Sequence, residues 1–169
     1  MIYVCPLSKV GETVAATGAA RLISLLAAGT EMTRPDTISQ QDHLLLSMHD
    51  IIEAQEGMIP PGEVHVRGIL DFAGNWDRSR PLVINCYAGI SRSTASAYVI
   101  AAALSPKRDE AELANTLRAV SPSATPNPRL IALADQVLGR DGRMIEAIKA
   151  IGRGADAFEG MPFALRIDG

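Results

Sequence analysis

The stretch Asn85-Cys86-Tyr87-Ala88-Gly89-Ile90-Ser91-Arg92-Ser93 holds a cysteine and an arginine with five residues between them. An apolar run, 82–84, precedes it, and mostly small and apolar residues follow it from Thr94 to Leu104. This order is typical of a buried strand, a tight loop and a buried helix. The loop is therefore expected to lie at a helix N-terminus, where free amides and the helix dipole favour an anion.

Three side chains of this loop suit attack on an anionic substrate. A cysteine at a helix N-terminus ionises more readily than a free thiol, so we expect Cys86 to be a thiolate near neutral pH. The planar guanidinium of Arg92 can bind two oxygens of a phosphate group at once. Ser93 is expected to hydrogen-bond the cysteine sulfur. An inert buried cysteine is the alternative, but it does not explain why Gly89, Arg92 and Ser93 follow at these spacings.

The pattern Cys86-x5-Arg92-Ser93 resembles the signature of cysteine-dependent protein tyrosine and dual-specificity phosphatases. The resemblance implies a phosphate monoester hydrolase that forms a phosphocysteine on Cys86 and uses no metal or other cofactor. It assigns Arg92 to the phosphate and Ser93 to the thiolate that leaves in the hydrolysis step. It also implies that the loop residues bind phosphate, mainly through their backbones: Tyr87, Ala88, Gly89, Ile90, Ser91 and Arg92.

One residue departs from the family pattern, since Asn85 stands where the family usually has histidine. Outside the loop the resemblance is weak and runs from about residue 2 to residue 139, including the turn 121–127. Two alternatives stay open: a phosphate-binding pseudophosphatase with weak or lost catalysis, and a rhodanese-like sulfurtransferase. The helical half after the loop disfavours the sulfurtransferase, and the retained Cys86 and Arg92 disfavour the pseudophosphatase.

The leaving oxygen of a phosphate ester needs a proton, and Asp50 is the first candidate for the general acid. In the resembled family this acid is an aspartate on a separate loop upstream of the cysteine. Asp50 ends an apolar run, 43–50, that is predicted to be a strand. Ligands bind beyond the carboxyl ends of parallel strands, so Asp50 and Cys86 are expected to share one sheet edge. Asp71 and Asp77 are weaker candidates, because they lie on or just after a predicted helix.

Alternating strand and helix patterns before the loop predict an α/β fold with a mostly parallel central sheet flanked by helices. The predicted strands are 2–5, 21–26, 43–50 and 82–86, and the predicted helices of this half are 10–20 and 62–76. The C-terminal half is predicted to be helical, with helices at 94–104, 109–120, 128–138 and 144–151. Residues 1–153 are predicted to form the phosphatase-like catalytic domain. Residues 154–169 show no pattern and are expected to be a tail, an oligomer contact or a lid.

The composition of the chain limits the classes of partner that the protein is expected to bind. The 169 residues suit one domain, and a net charge of −3 argues against nucleic acid as a partner. No apolar stretch is long enough for a membrane span, and the histidines and cysteines show no zinc-type spacing. The expected partner is a phosphorylated protein or a small phosphomonoester, while the oligomeric state stays open.

The two cysteines indicate a reducing compartment. Cys5 is expected to be a core thiol, and a disulfide between Cys5 and Cys86 would inactivate the nucleophile. Because the N-terminus also lacks a secretory leader pattern, we expect a cytoplasmic protein.

Overall fold

The computed structural model describes residues 1–168, which form a five-stranded sheet with helices on both faces. The strands are β1 (Ile2–Pro6), β2 (Arg21–Leu26), β3 (His43–Ser47), β4 (Leu82–Cys86) and β5 (Phe163–Leu165). The helices are α1 (Val10–Thr17), α2 (Glu63–Gly74), α3 (Arg92–Leu104), α4 (Glu110–Val120), α5 (Pro128–Val137) and α6 (Arg143–Ile151). Short 3₁₀ helices precede α1 and β3 at Leu7–Lys9 and Gln40–Asp42.

The sheet is mostly parallel, with strand order β3-β2-β4-β1-β5. The first four strands in this order run parallel, and only β5 pairs antiparallel with β1. Strands covered on both faces are mostly apolar, as residues 22–26 and 82–86 are, with Ser24 and Asn85 as their polar members. The predicted α/β fold with a mostly parallel sheet is confirmed.

Side chains of successive strand residues enter two separate cores. Ile84 and Cys86 join the larger core, which α2 to α6 cover, and Val83 joins the smaller core under α1. Cys5 also lies in the smaller core, where burial raises the pKa of its thiol to about 11. Cys5 is thus a core thiol on the sheet face opposite Cys86, so the two sulfurs do not form a disulfide pair in this fold.

Helix α3 is the central helix of the larger core, as its run of small and apolar residues predicts. Eleven of its 13 residues are buried, since alanine and serine side chains let neighbouring elements approach closely. The helix begins at Arg92, directly after the loop that follows β4. Burial on nearly all sides therefore fixes where the N-terminus of α3 meets the carboxyl end of β4.

The third strand is shorter than predicted, because β3 ends at Ser47 instead of Asp50. His49 turns the chain out of the sheet: its backbone amide donates to the Ile59 carbonyl at 2.7 Å, and its Nδ1 accepts from the Ile59 amide at 2.9 Å. The prediction that the strand runs to Asp50 was wrong. Asp50 lies instead on the loop that follows β3.

The segment after α6 is tied into the sheet. Its strand β5 pairs with β1, with Phe163 opposite Val4 and Leu165 opposite Ile2. Leu165 is fully buried in the larger core. Residues 154–168 therefore cover the outer edge of β1. Within residues 1–168, no helix combines the length and the apolar character needed to cross a bilayer.

We predict that Leu165→Ala lowers the free energy of unfolding by about 2–5 kcal/mol, because the truncation leaves a cavity in the larger core. Urea unfolding followed by circular dichroism measures this loss. Met161→Ala is the matched control, since Met161 is 82% exposed and its truncation should cost at most about 0.5 kcal/mol. Equal stabilities of the two variants would show that residues 154–168 add nothing to the folded core.

Candidate active site

The loop 86–92 closes tightly over the end of β1, and Gly89 makes this possible. Gly89 has φ +69°, a conformation that favours glycine. A Cβ atom at this position would lie 2.7 Å from the Pro6 nitrogen and 2.8 Å from the Cys5 carbonyl carbon. Any other residue would therefore push the loop off the strand. We call residues 86–92 the signature loop.

Four carbonyl groups of the signature loop face outward, because each accepts a hydrogen bond from the surrounding backbone. The bonds run from Leu7 to Tyr87 (3.1 Å), from Gly160 to Ala88 (2.8 Å), from Thr125 to Ile90 (2.9 Å) and from Asn127 to Ser91 (3.2 Å). Their donors come from three parts of the chain: the segment after β1, the turn between α4 and α5, and the segment before β5. The loop is thus held from outside along its whole length.

The amides of the same peptides face the opposite way. A trans peptide points its N–H away from its carbonyl, and residues 1–168 contain no cis peptide. The amides of residues 88, 89, 91 and 92 therefore point to the inside of the loop, and none donates to another group within residues 1–168. Converging amides of this kind form an anion-binding concavity.

Cys86 begins the signature loop and lies beside Ser93. The Cys86 Sγ and Ser93 Oγ atoms are 3.1 Å apart, and both residues are buried. The hydrogen bond predicted between them is present. Ser93 is the second residue of α3, so the strand and the helix together set this distance.

Arg92 is buried, yet only part of its guanidinium is satisfied by the protein. Its Nη1 donates to the Met48 carbonyl at 2.8 Å. Its buried Nε has no hydrogen-bond partner within residues 1–168. Met48 thus holds one side of the guanidinium, while the Nε–H has no acceptor within residues 1–168.

Asp50 meets the signature loop although it lies on another element. Its Oδ1 accepts from Ser91 Oγ at 2.7 Å and from Asn127 Nδ2 at 2.8 Å. Asp77 lies before β4, at the sheet edge away from Cys86. There its carboxylate accepts from Ser79, which lowers the pKa of Asp77. The structure therefore brings Asp50, and not Asp77, to the signature loop.

Asn127 is a site residue whose second role the sequence pattern did not reveal. Its Oδ1 caps α5 by accepting from the amides of Arg129 and Leu130, both at 3.0 Å. An asparagine followed by proline, as in Asn127-Pro128, is typical of an N-cap and the first helical position. The available signal was the residue type: an asparagine cap, unlike aspartate, keeps an NH₂ group, which here donates to Asp50.

Titratable side chains do not gather into a metal site within residues 1–168: no three of His, Cys, Asp or Glu lie close enough to hold an ion.

Comparison with known proteins places the fold. No family model matches the sequence, and no curated protein matches it. The crystal structure of DUSP15 matches with a TM-score of 0.64 at 16% identity, over 88% of this chain and 90% of that chain. The PTP-2 phosphatase of Cydia pomonella matches with a TM-score of 0.63 at 15% identity, over 80% and 84% of the two chains.

A mouse dual-specificity phosphatase complexed with zinc tungstate is a third neighbour. It matches with a TM-score of 0.62 at 15% identity, over 87% of this chain and 86% of that chain. All three neighbours are phosphatases whose length this chain nearly spans. The chain has the fold of the protein tyrosine and dual-specificity phosphatases.

Proposed function

We propose that this protein is a cysteine-dependent phosphatase that hydrolyses phosphate monoesters through a phosphocysteine on Cys86. One observation carries the proposal: four inward amides of the signature loop and the buried Arg92 Nε–H have no acceptor within residues 1–168, and they belong to the loop that begins at the buried Cys86. A phosphoryl group in transfer has three equatorial oxygens that need such donors. Donors fixed in advance stabilise the transition state most effectively.

The first chemical step transfers the phosphoryl group to sulfur. The Cys86 thiolate attacks phosphorus, and the P–O bond to the leaving group breaks as the S–P bond forms. Asp50 gives its proton to the leaving oxygen. Both hydrogen bonds of Asp50 end on Oδ1, so Oδ2 is the atom that would carry this proton.

The second step releases phosphate and restores the enzyme. Asp50, now ionised, takes a proton from a water molecule that attacks phosphorus, and the S–P bond breaks. The departing sulfur needs a hydrogen-bond donor as its negative charge returns. Ser93 lies 3.1 Å from that sulfur and would supply its hydroxyl hydrogen.

The proposed substrate is a phosphorylated protein or a small phosphomonoester. Residues 87–91 include no lysine or arginine, so Arg92 is the only cation that the signature loop offers to a phosphate. This favours a protein tyrosine or dual-specificity phosphatase over an enzyme for multiply phosphorylated lipids. The fold shared with phosphatases, together with Asp50 beside the loop, favours hydrolysis over rhodanese-like sulfur transfer. A free thiol as nucleophile also favours a reducing compartment such as the cytoplasm, where disulfides rarely form.

We predict that Cys86→Ser abolishes hydrolysis of p-nitrophenyl phosphate but keeps tungstate binding, because the loop amides and Arg92 remain.

Arg92→Lys should be nearly as damaging as Arg92→Ala, since lysine keeps the charge but loses the planar fork. Steady-state kinetics and tungstate calorimetry measure these effects, and EDTA should leave wild-type turnover unchanged. Full activity of Cys86→Ser, or loss of wild-type activity in EDTA, would contradict the proposal. Tungstate binding without any wild-type turnover would identify a pseudophosphatase.

Asp50→Asn should lower kcat by roughly 10²–10⁴-fold, the usual worth of general acid catalysis. The loss should be larger for an alkyl phosphate such as phosphoserine, whose leaving oxygen is more basic than nitrophenolate. The variant should also lose the fall in kcat at high pH that reports deprotonation of the acid. Asp71→Asn on α2 is the matched control and should keep the wild-type rate. If Asp50→Asn keeps that rate on both substrates and Asp71→Asn does not, the acid is Asp71.

A further inference from the structure

A chain of polar side chains runs from the edge strand β3 to the peptide of the catalytic cysteine. His43 Nε2 lies 2.9 Å from Ser24 Oγ, which lies 2.6 Å from Asn85 Oδ1. Asn85 Nδ2 then reaches the Cys86 carbonyl oxygen at 3.5 Å. Ser24 and Asn85 are fully buried and face each other across β2 and β4. Polar groups buried in this way are costly unless each is satisfied.

The chemistry of the groups fixes the direction of every bond. An amide oxygen only accepts, so the Ser24 hydroxyl hydrogen points to Asn85. That hydrogen is the only one on Ser24 Oγ, so this oxygen accepts from His43 and the His43 Nε2 carries a hydrogen. The Cys86 carbonyl also only accepts, which turns the NH₂ group of Asn85 towards it. All three bonds therefore donate in the direction of Cys86.

His43 can act as this donor in its neutral form. Burial, and secondarily the positive charge of Arg34, lowers the pKa of His43. The neutral ring with its hydrogen on Nε2 is thus the form present at neutral pH. The neighbouring Asp42 carboxylate already forms an ion pair with Arg21 at 3.6 Å.

The end of this chain lies where the signature loop begins. The Cys86 carbonyl belongs to the first peptide of the loop. A hydrogen bond to this carbonyl therefore fixes the orientation of the peptide plane from which the loop continues. Aligned hydrogen bonds in a low-dielectric interior also strengthen one another. Removing the first donor should therefore weaken the hold of Asn85 on that peptide.

We propose that His43 is a positioning residue for the signature loop and acts through Ser24 and Asn85 on the peptide of Cys86. The inference rests on the proposed function, because it concerns the residue that carries the nucleophile. It also gives Asn85 a role: the histidine of the family pattern is absent at this position, and Asn85 links the imidazole of His43, through Ser24, to the Cys86 carbonyl.

The test compares two substitutions of His43 in the full chain. His43→Leu removes the donor and should lower kcat for p-nitrophenyl phosphate by about tenfold, less than the about 10²-fold that a 1 Å misplacement can cost. His43→Gln places an amide N–H near the former Nε2 and should keep the rate within about twofold, since the donor remains. KM should change little in both variants. Leu45→Gln, two residues along the same face of β3, should match wild type.

A double-mutant cycle separates this role from general stability. In a Ser24→Ala background, His43→Leu should cause no further loss of kcat, because the link to Asn85 is already broken. Equal losses in His43→Leu and His43→Gln, or additive losses in the cycle, would overturn the proposal. If wild type shows no turnover, the proposed function fails by itself. The alkylation rate of Cys86 by iodoacetamide then tests the positioning: it should fall in His43→Leu and recover in His43→Gln, and equal rates would overturn it.

Discussion

The backbone hydrogen bonds that turn the carbonyls of the signature loop outward are the constraint on which the rest of the structure depends. Backbone donors before α1, between α4 and α5, and before β5 turn four loop carbonyls away from the cysteine. Since trans peptides oppose their two polar groups, this arrangement alone directs the amides inward. Gly89 lets the loop lie directly against the end of β1, because it has no Cβ atom to collide with that strand. The orientation of the loop amides therefore depends on segments that are distant in sequence.

The site includes a buried polar group that the described residues leave unsatisfied. Arg92 keeps a buried Nε–H without a partner in residues 1–168, which costs stability unless an anion accepts from it. Binding phosphate would recover that cost, so folding and ligand binding are expected to reinforce each other. Asp50 differs from Arg92, because Ser91 and Asn127 donate hydrogen bonds to one of its carboxylate oxygens. The unpaired Arg92 Nε–H and the Asp50 carboxylate thus both lie at the signature loop.

Local patterns predicted the strand β4, the helix α3 and the position of Cys86 and Arg92 in the loop between them, because strong periodicity and a spaced motif coincide there. They did not predict β5, whose three residues are too few for a pattern and gain their order from pairing with β1. The contact between Ser24 and Asn85 spans 61 positions in sequence. It depends on the register of two parallel strands, which no local pattern specifies. The same holds for the bond between Asn127 and Asp50.

The central claim is that Cys86 carries the phosphoryl group during turnover. Rapid quenching of the enzyme in denaturant during hydrolysis of an aryl phosphate, followed by peptide mass spectrometry, tests it most directly, because the unfolded enzyme cannot hydrolyse a phosphocysteine that has already formed. We predict that the peptide containing Cys86 gains the mass of one phosphoryl group, and that the peptide containing Cys5 does not. Turnover with the phosphoryl group on another residue, or on no residue under conditions in which the first step is faster than the second, would contradict the account.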